Sequence, residues 1–387
     1  MFERVIKNRL FSKLNHIEYG KLTIELPDNS LHEFVGKNLG VHADITLRDL
    51  RVVAQLINRG DVGFAEDYRD EYWSSSNLEH LLLFALQNEK IFTEFGHGGF
   101  LFKQLSKILY LTKRNTLNGS KKNIQAHYDL GNDFYSLWLD KTMTYSSGLF
   151  NDDNETLESA QCNKYNRLLN RIGVAKANIL EIGCGWGGFA ELAGLRGHSV
   201  KGVTLSQEQY EFAKERNKHL DVDIVLEDYR DQHGKYDAIV SIEMLEAVGE
   251  KYWNTYFSKL SQLLKPEGKI LIQVITIQDN VYNNYRSSAD MIRTFIFPGG
   301  MLPCERELKK VISANNLKIN DIYYFGKDYA KTLRIWLDKF NNSYEQVKKL
   351  AFDEKFIRIW QFYLSLCSAG FENGRINVVQ IELVKIN

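Results

Sequence analysis

Asn178-Ile179-Leu180-Glu181-Ile182-Gly183-Cys184-Gly185-Trp186-Gly187-Gly188 decides the reading of the chain: an apolar strand breaks into glycines, and a helix follows. Such a turn needs glycine because the backbone adopts dihedrals that other residues resist, and because a ligand must approach with no Cβ in the way. Glycine is also entropically costly to order, so a turn this rich in it argues that something occupies the room. The spacing satisfies Gly-x-Gly-x-x-Gly, which makes a dinucleotide-binding dehydrogenase one reading of the motif.

The flanks of the turn separate the readings. A dinucleotide site wants an acidic residue at the end of the second strand to hold a ribose hydroxyl. That strand ends Gly202-Val203-Thr204-Leu205-Ser206, with no acid, which weakens the dehydrogenase reading. Glu181 stands two residues before the first glycine, where its carboxylate faces a cationic amino group and repels a pyrophosphate. A cofactor with an amino-acid end suits the turn better, and S-adenosylmethionine is such a cofactor.

Outward from the turn, strands alternate with helices, the mark of a parallel sheet covered on both faces. The strands expected are Asn178 to Ile182, Ser199 to Thr204, Asp223 to Leu226, Tyr236 to Ile242, Lys269 to Thr276, Ile319 to Tyr324 and Asn377 to Val384. Together they predict a seven-stranded, doubly wound α/β sheet. Between the last two strands, residues 328–371 form a helical stretch rich in aromatics, among them Tyr329, Trp336, Trp360 and Tyr363; it reads as an added layer roofing a substrate cavity. Residues from about 16 to 70 carry short strands, Lys21 to Leu26 and Val41 to Leu47, and read as a small α+β unit. Helices are expected over Asn77 to Gln87 and Phe100 to Thr112. The polar stretch Lys113 to Lys122 has linker composition, which divides the chain into residues 1–120 and 121–387.

A length of 387 residues accommodates these two domains and a large core. The 49 basic and 49 acidic residues cancel, so no global field attracts nucleic acid. The cysteines Cys162, Cys184, Cys304 and Cys367 show neither paired nor metal-ligand spacing, which fits a reducing cytosol and argues against a structural metal. No apolar run reaches the roughly 20 residues that span a bilayer. Phe2, Val5, Ile6 and Leu10 share one face of a basic amino-terminal helix that carries Arg4, Lys7, Arg9 and Lys13. That helix either docks on its own domain or touches anionic lipid.

From about residue 121 onward the chain resembles the class I S-adenosylmethionine methyltransferases, and more narrowly the cyclopropane fatty acid synthase family. The resemblance rests on His127-Tyr128-Asp129-Leu130-Gly131-Asn132-Asp133-Phe134-Tyr135, Met143-Thr144-Tyr145-Ser146-Ser147, the glycine turn, Gly202-Val203-Thr204-Leu205-Ser206-Gln207-Glu208-Gln209, Asp228-Tyr229-Arg230-Asp231, Glu243-Met244-Leu245-Glu246-Ala247-Val248-Gly249, Phe297-Pro298-Gly299-Gly300 and Phe325 to Leu333. It implies a Rossmann-like methyltransferase sheet. It also implies a cofactor site of Tyr145, Ser146, Glu181, Gly183, Gly185, Gly187, Thr204, Ser206, Gln209, Tyr229 and Arg230. The amino-terminal part resembles the small lipid-associated domain of longer members; family members are often dimers, so the resemblance allows a homodimer, while the sequence itself does not fix the oligomeric state.

Members of that family add a methyl to a cis double bond in a phospholipid acyl chain, which implies a cytoplasmic enzyme visiting the inner membrane surface. Attack by the alkene leaves a carbocation, so the cavity must exclude water, and aromatic faces or a carboxylate must stabilise the charge. Ring closure then needs a base, which the resemblance implies is a bound bicarbonate. Of the residues that would hold it, Glu246 and Tyr329 match. Ser147 stands where the family has a cysteine, Ala247 and Gln273 where it has histidines. Ser147 and Gln273 still donate hydrogen bonds to an anion. Cys367 matches a cysteine regarded as an active-site residue in the family, although a thiol nucleophile is not required by this chemistry. The Glu246 and Gln273 segments resemble a branch containing plant cyclopropane synthases and enzymes that make mid-chain methyl or methylene acids, so the product is a ring or a branch.

Overall fold

A computed structural model describes residues 2–95, 130–288 and 290–386, with the side chains of 2–6 and 93–95 left aside. The expected helix over Phe100 to Thr112, the linker at Lys113 to Lys122 and the His127-Tyr128-Asp129 motif lie outside the described residues.

The chain divides into two compact units. In the first, β1 (Tyr19–Glu25), β2 (Leu31–Val35), β3 (Asn38–Leu47) and β4 (Trp73–Ser74) form a sheet in the order β2-β1-β3-β4. The alternation that predicts β1 and β3 turns Leu22, Ile24, Ala43, Ile45 and Leu47 to the buried face. Helices Arg51–Arg69 and Leu78–Gln87 belong to the same unit, the latter capped by Asn77, whose side chain accepts from the His80 N–H.

This unit also takes in Asn284–Pro298 and Trp336–Arg375, so most of the expected helical layer over 328–371 groups with the amino-terminal residues. The reason lies in helix Glu354–Asn373, which packs on both Arg51–Arg69 and Leu78–Gln87. Arg358 Nε donates to the Tyr68 carbonyl at 2.7 Å, Ser368 Oγ to Glu79 at 2.8 Å, and Phe362 meets Trp73 edge-on.

The second unit holds β5 (Asn178–Ile182), β6 (Ser199–Thr204), β7 (Val222–Leu226), β8 (Tyr236–Ile242), β9 (Leu264–Ile277), β10 (Leu317–Tyr324) and β11 (Ile376–Lys385). Their order is β10-β11-β9-β8-β5-β6-β7, with β11 antiparallel to both neighbours and the remaining adjacent pairs parallel. Strand order reverses between β5 and β8, so a crevice opens at their carboxyl ends, where open α/β sheets bind ligands. The helix Leu157–Ile172, started by the Thr156 cap and stopped at Gly173 with φ +77°, buries Leu168, Leu169 and Ile172 against the sheet. No helix among the described residues is long and apolar enough to cross a membrane.

Candidate active site

The glycine turn lies at the reversal point, and a cavity opens over it. Its lining includes Tyr145, Ser146, Glu181, Gly183, Gly185, Thr204, Gln209 and Tyr229 from the expected cofactor set. At Gly185, with φ +54°, an added Cβ would enter open space, so that glycine answers to the turn and to what fills the cavity. Gly187 answers to packing: a Cβ there would stand 2.6 Å from Asn217 Nδ2.

Glu181 on β5 is buried, and its Oε2 has no hydrogen-bond partner. Burial pushes its carboxyl up to about 8, against an N–H from Ala190 and the Lys164 charge. A buried, half-satisfied carboxyl that also lines the cavity beside the glycine turn fits the ammonium of a methionine moiety, which would complete its hydrogen bonding.

The other expected cofactor residues divide between binding and support. The Thr204 hydroxyl donates to Gln209 Oε1 at 2.9 Å, which fixes the orientation of that amide. Ser206 does not line the cavity; it caps helix Gln207–Asn217 by accepting from the Gln209 N–H. Arg230 is likewise off the lining, forked onto Asp228 at 2.8 and 2.6 Å, and it holds the turn that presents the buried Tyr229 ring. Tyr145 is braced by Tyr135 and Trp138 at 5.5 and 5.3 Å between ring centres, and Tyr135 in turn packs on Trp186. The rings that line this cavity are Tyr145, Tyr165, Trp186 and Tyr229.

Three residues expected to surround an anion converge on one side chain of the protein itself. Glu243, at the end of β8, accepts from Tyr329 Oη at 2.6 Å on Oε2, and from Gln273 Nε2 at 2.8 Å and the Ser147 N–H at 3.0 Å on Oε1. Ser147 thus donates through its backbone, while its hydroxyl donates to the Gly148 carbonyl. Glu243 lines the cavity and holds φ at +50°, a conformation uncommon for non-glycine residues. Burial raises its carboxyl's pKa, against the pull of Tyr329, the Lys164 charge, the Ser147 N–H and Gln273.

The fold supplies this geometry. Gln273 pairs with Ile242 across β9 and β8, and with Gln380 across β9 and β11. Gln380 Nε2 donates to Gln273 Oε1 at 3.0 Å, and Arg167 Nη1 donates to Gln380 Oε1 at 2.9 Å while Nη2 donates to Asp321. Both amides are oriented by this chain, so the Nε2 of Gln273 is the end that meets Glu243. Helix Gly326–Asn342 clamps the Ser147 loop: Asp328 accepts from the Phe150 N–H and Thr332 from the Gly148 N–H, both at 3.1 Å. Lys164 is fully buried, with Nζ donating to Ser146 Oγ and Gln161 Oε1 at 2.6 Å. Burial pulls it down to about 7, the charge of Glu243 opposing.

Glu246 is oriented differently from the expectation. Its Oε1 accepts from the Ile275 N–H at 2.6 Å, its Oε2 is buried without a partner, and it is not among the residues lining the cavity. Burial, then the neighbouring Glu243, push its carboxyl up to about 8. Cys367 belongs to the first unit, and burial drives its thiol far above the ordinary range, the reverse of what activates a nucleophile. Sequence reasoning missed Glu243, Lys164 and Gln380. The signal for Glu243 was an acid immediately after the β8 run, in a chain whose cysteine and histidine positions had become Ser147 and Gln273.

A doubly wound sheet with a glycine turn and a half-satisfied buried carboxyl at its reversal point fits the class that the family match shows: the chain is an S-adenosylmethionine-dependent methyltransferase. Residues 115–381 match the family described as mycolic acid cyclopropane synthetase, and the chain belongs to that family. It is 36% identical over 348 residues to the tuberculostearic acid methyltransferase of Mycobacterium tuberculosis, covering 86% of this chain and 81% of that protein. It is 34% identical over 349 residues to the cyclopropane-fatty-acyl-phospholipid synthase of Escherichia coli, covering 88% and 87%. Among solved structures, mycolic acid cyclopropane synthase complexed with SAH and CTAB superimposes with a TM-score of 0.65 at 30% identity, over 68% of this chain and 98% of that one.

Proposed function

We propose that the protein methylates the cis double bond of unsaturated phospholipid acyl chains and closes the product to a cyclopropane, working at a membrane surface. Lipid methylation as such follows from the family; the phospholipid substrate and ring product are the proposal. Its single support in the geometry is a hydrogen-bonded carboxylate, Glu243, facing the same cavity as Glu181. Methylation of a hydroxyl or an ammonium needs a base on the acceptor before or during transfer. An alkene has no such proton, and a base is needed only afterwards, beside the added carbon.

Bound S-adenosylmethionine supplies an electrophilic methyl carbon. Glu181 is the group to take its ammonium, Tyr229 to face the adenine, and Thr204 with Gln209 to hold the ribose hydroxyls. Positioning does much of the work with so weak a nucleophile, because holding reactants in place removes several kcal/mol of barrier, about 7–11 in the best intramolecular cases. The rings of Tyr145 and Trp186 give the cavity apolar faces that exclude water and stabilise positive charge.

Incubation with labelled S-adenosylmethionine and vesicles of unsaturated phospholipid is the test. Label in the acyl chains is expected; label confined to headgroups or to soluble compounds overturns the proposal.

A further inference from the structure

The family implies a bicarbonate as the ring-closing base, and the residues present do not fit it. The Tyr329 hydroxyl, the Ser147 N–H and one N–H of Gln273, which would serve that anion, are already given to Glu243. A carboxylate has two oxygens and about four acceptor sites, and three of them are filled here. A second anion beside it would meet like charge, and the Tyr329 and Ser147 donors that would offset the repulsion already serve the first.

We infer that Glu243 is the base of this enzyme, a carboxylate built into the chain at the place of the exogenous anion. The inference rests on the proposed lipid reaction. After methyl transfer the acyl chain carries the new methyl on one carbon and a cation on its neighbour. The Glu243 carboxylate takes a proton from that methyl, and the released C–H pair forms the second carbon–carbon bond to the cationic carbon. The ring closes, the two opposite charges cancel, and Glu243 is left as a neutral acid that returns its proton to water after product leaves.

Four observations carry the assignment. The carboxylate lines the cavity that holds the glycine turn. Its rotamer is fixed by three donors from three different segments. Its backbone is held at φ +50°, where a glycine would sit without strain, so the side chain is kept against a local cost. The buried Lys164 Nζ donates to Ser146 Oγ, in the same loop whose Ser147 N–H meets Glu243. Gln380 and Arg167 act through Gln273 and are positioning residues.

The test compares turnover on unsaturated phosphatidylglycerol vesicles in carbonate-free buffer and in the same buffer with added bicarbonate. The wild type is expected to work equally in both. Glu243→Gly is expected to lose about 10²-fold or more in ring formation, the range of a general base, and to recover part of it with bicarbonate or acetate. Glu243→Gln should be as slow and not rescued, its amide still filling the site. Melting temperature and S-adenosylmethionine binding show whether the variants are folded. A wild type that forms ring only with added bicarbonate overturns the assignment alone, as does wild-type ring formation by folded Glu243→Gln. A wild type that labels no acyl chain in either buffer overturns the lipid reading and this assignment together.

Discussion

The hydroxyl of Tyr329 donates to Oε2 of Glu243 at 2.6 Å, joining the first turns of helix Gly326–Asn342 to the end of β8 across 86 residues of sequence. A donor to the charged form holds a carboxyl's pKa down. Tyr329→Phe removes one of three such donors and leaves Glu243 harder to ionise. The acidic limb of the pH–rate profile is therefore expected to move to higher pH, with stability lower by about 1–3 kcal/mol. Profiles of the two proteins check this, and superimposable acidic limbs contradict it.

Glu181 makes cofactor binding proton-linked. Burial, opposed by the Ala190 N–H, pushes its carboxyl to about 8, so it is mostly protonated at pH 7. Facing an ammonium favours the ionised form, so binding releases a proton, and affinity rises with pH until about 8 before levelling. Calorimetry in buffers of different ionisation enthalpy reads that release directly. Glu181→Gln is expected to abolish it and to weaken S-adenosylmethionine binding by about tenfold to a hundredfold, the range of a charged hydrogen bond.

Gln380 is buried two strands away from Glu243 and reaches it only through Gln273. Gln380→Leu leaves the Gln273 amide without the contact that aims its Nε2. A fall of about tenfold in kcat is expected, one such hydrogen bond being worth roughly 1.4 kcal/mol, with KM for S-adenosylmethionine unchanged. A change confined to KM would show that the row serves binding instead.

Glu246 carries the opposite pH signature from a salt-bridged acid. Its folded carboxyl is pushed to about 8 while an unfolded glutamate titrates near about 4.3, so the folded state holds the extra proton between them. Stability from this group is full below the unfolded value and is lost as pH rises toward 8. Glu246→Gln keeps an acceptor for the Ile275 N–H and cannot ionise. Its stability relative to wild type is expected to increase from pH 5 to pH 8 in urea unfolding, and parallel behaviour at both contradicts the burial of a protonated acid.

Local pattern made the sheet legible. β5, β6 and β8 match the expected bounds, because each is an apolar run closed by glycine, polar or charged residues. The cofactor turn was legible for the same reason, its residues being consecutive. Glu243 was not, since its partners Ser147, Gln273 and Tyr329 meet only when the β8–β9 register and the first turns of helix Gly326–Asn342 are set. Resemblance drew attention to Glu246, three residues on, whose carboxylate faces the Ile275 N–H instead. The membership of Trp336–Arg375 in the first unit was equally hidden, because a helix rich in aromatics carries no local sign of which partner buries it.

The most direct measurement is mass spectrometry of acyl chains from cells expressing the protein and fed methionine bearing a trideuterated methyl group. Cyclopropane acids retaining two of the three deuteriums are expected, one having been removed from the added methyl on ring closure. Absence of new acyl species, or methyl-branched acids retaining all three deuteriums, would contradict transfer followed by deprotonation of the same carbon.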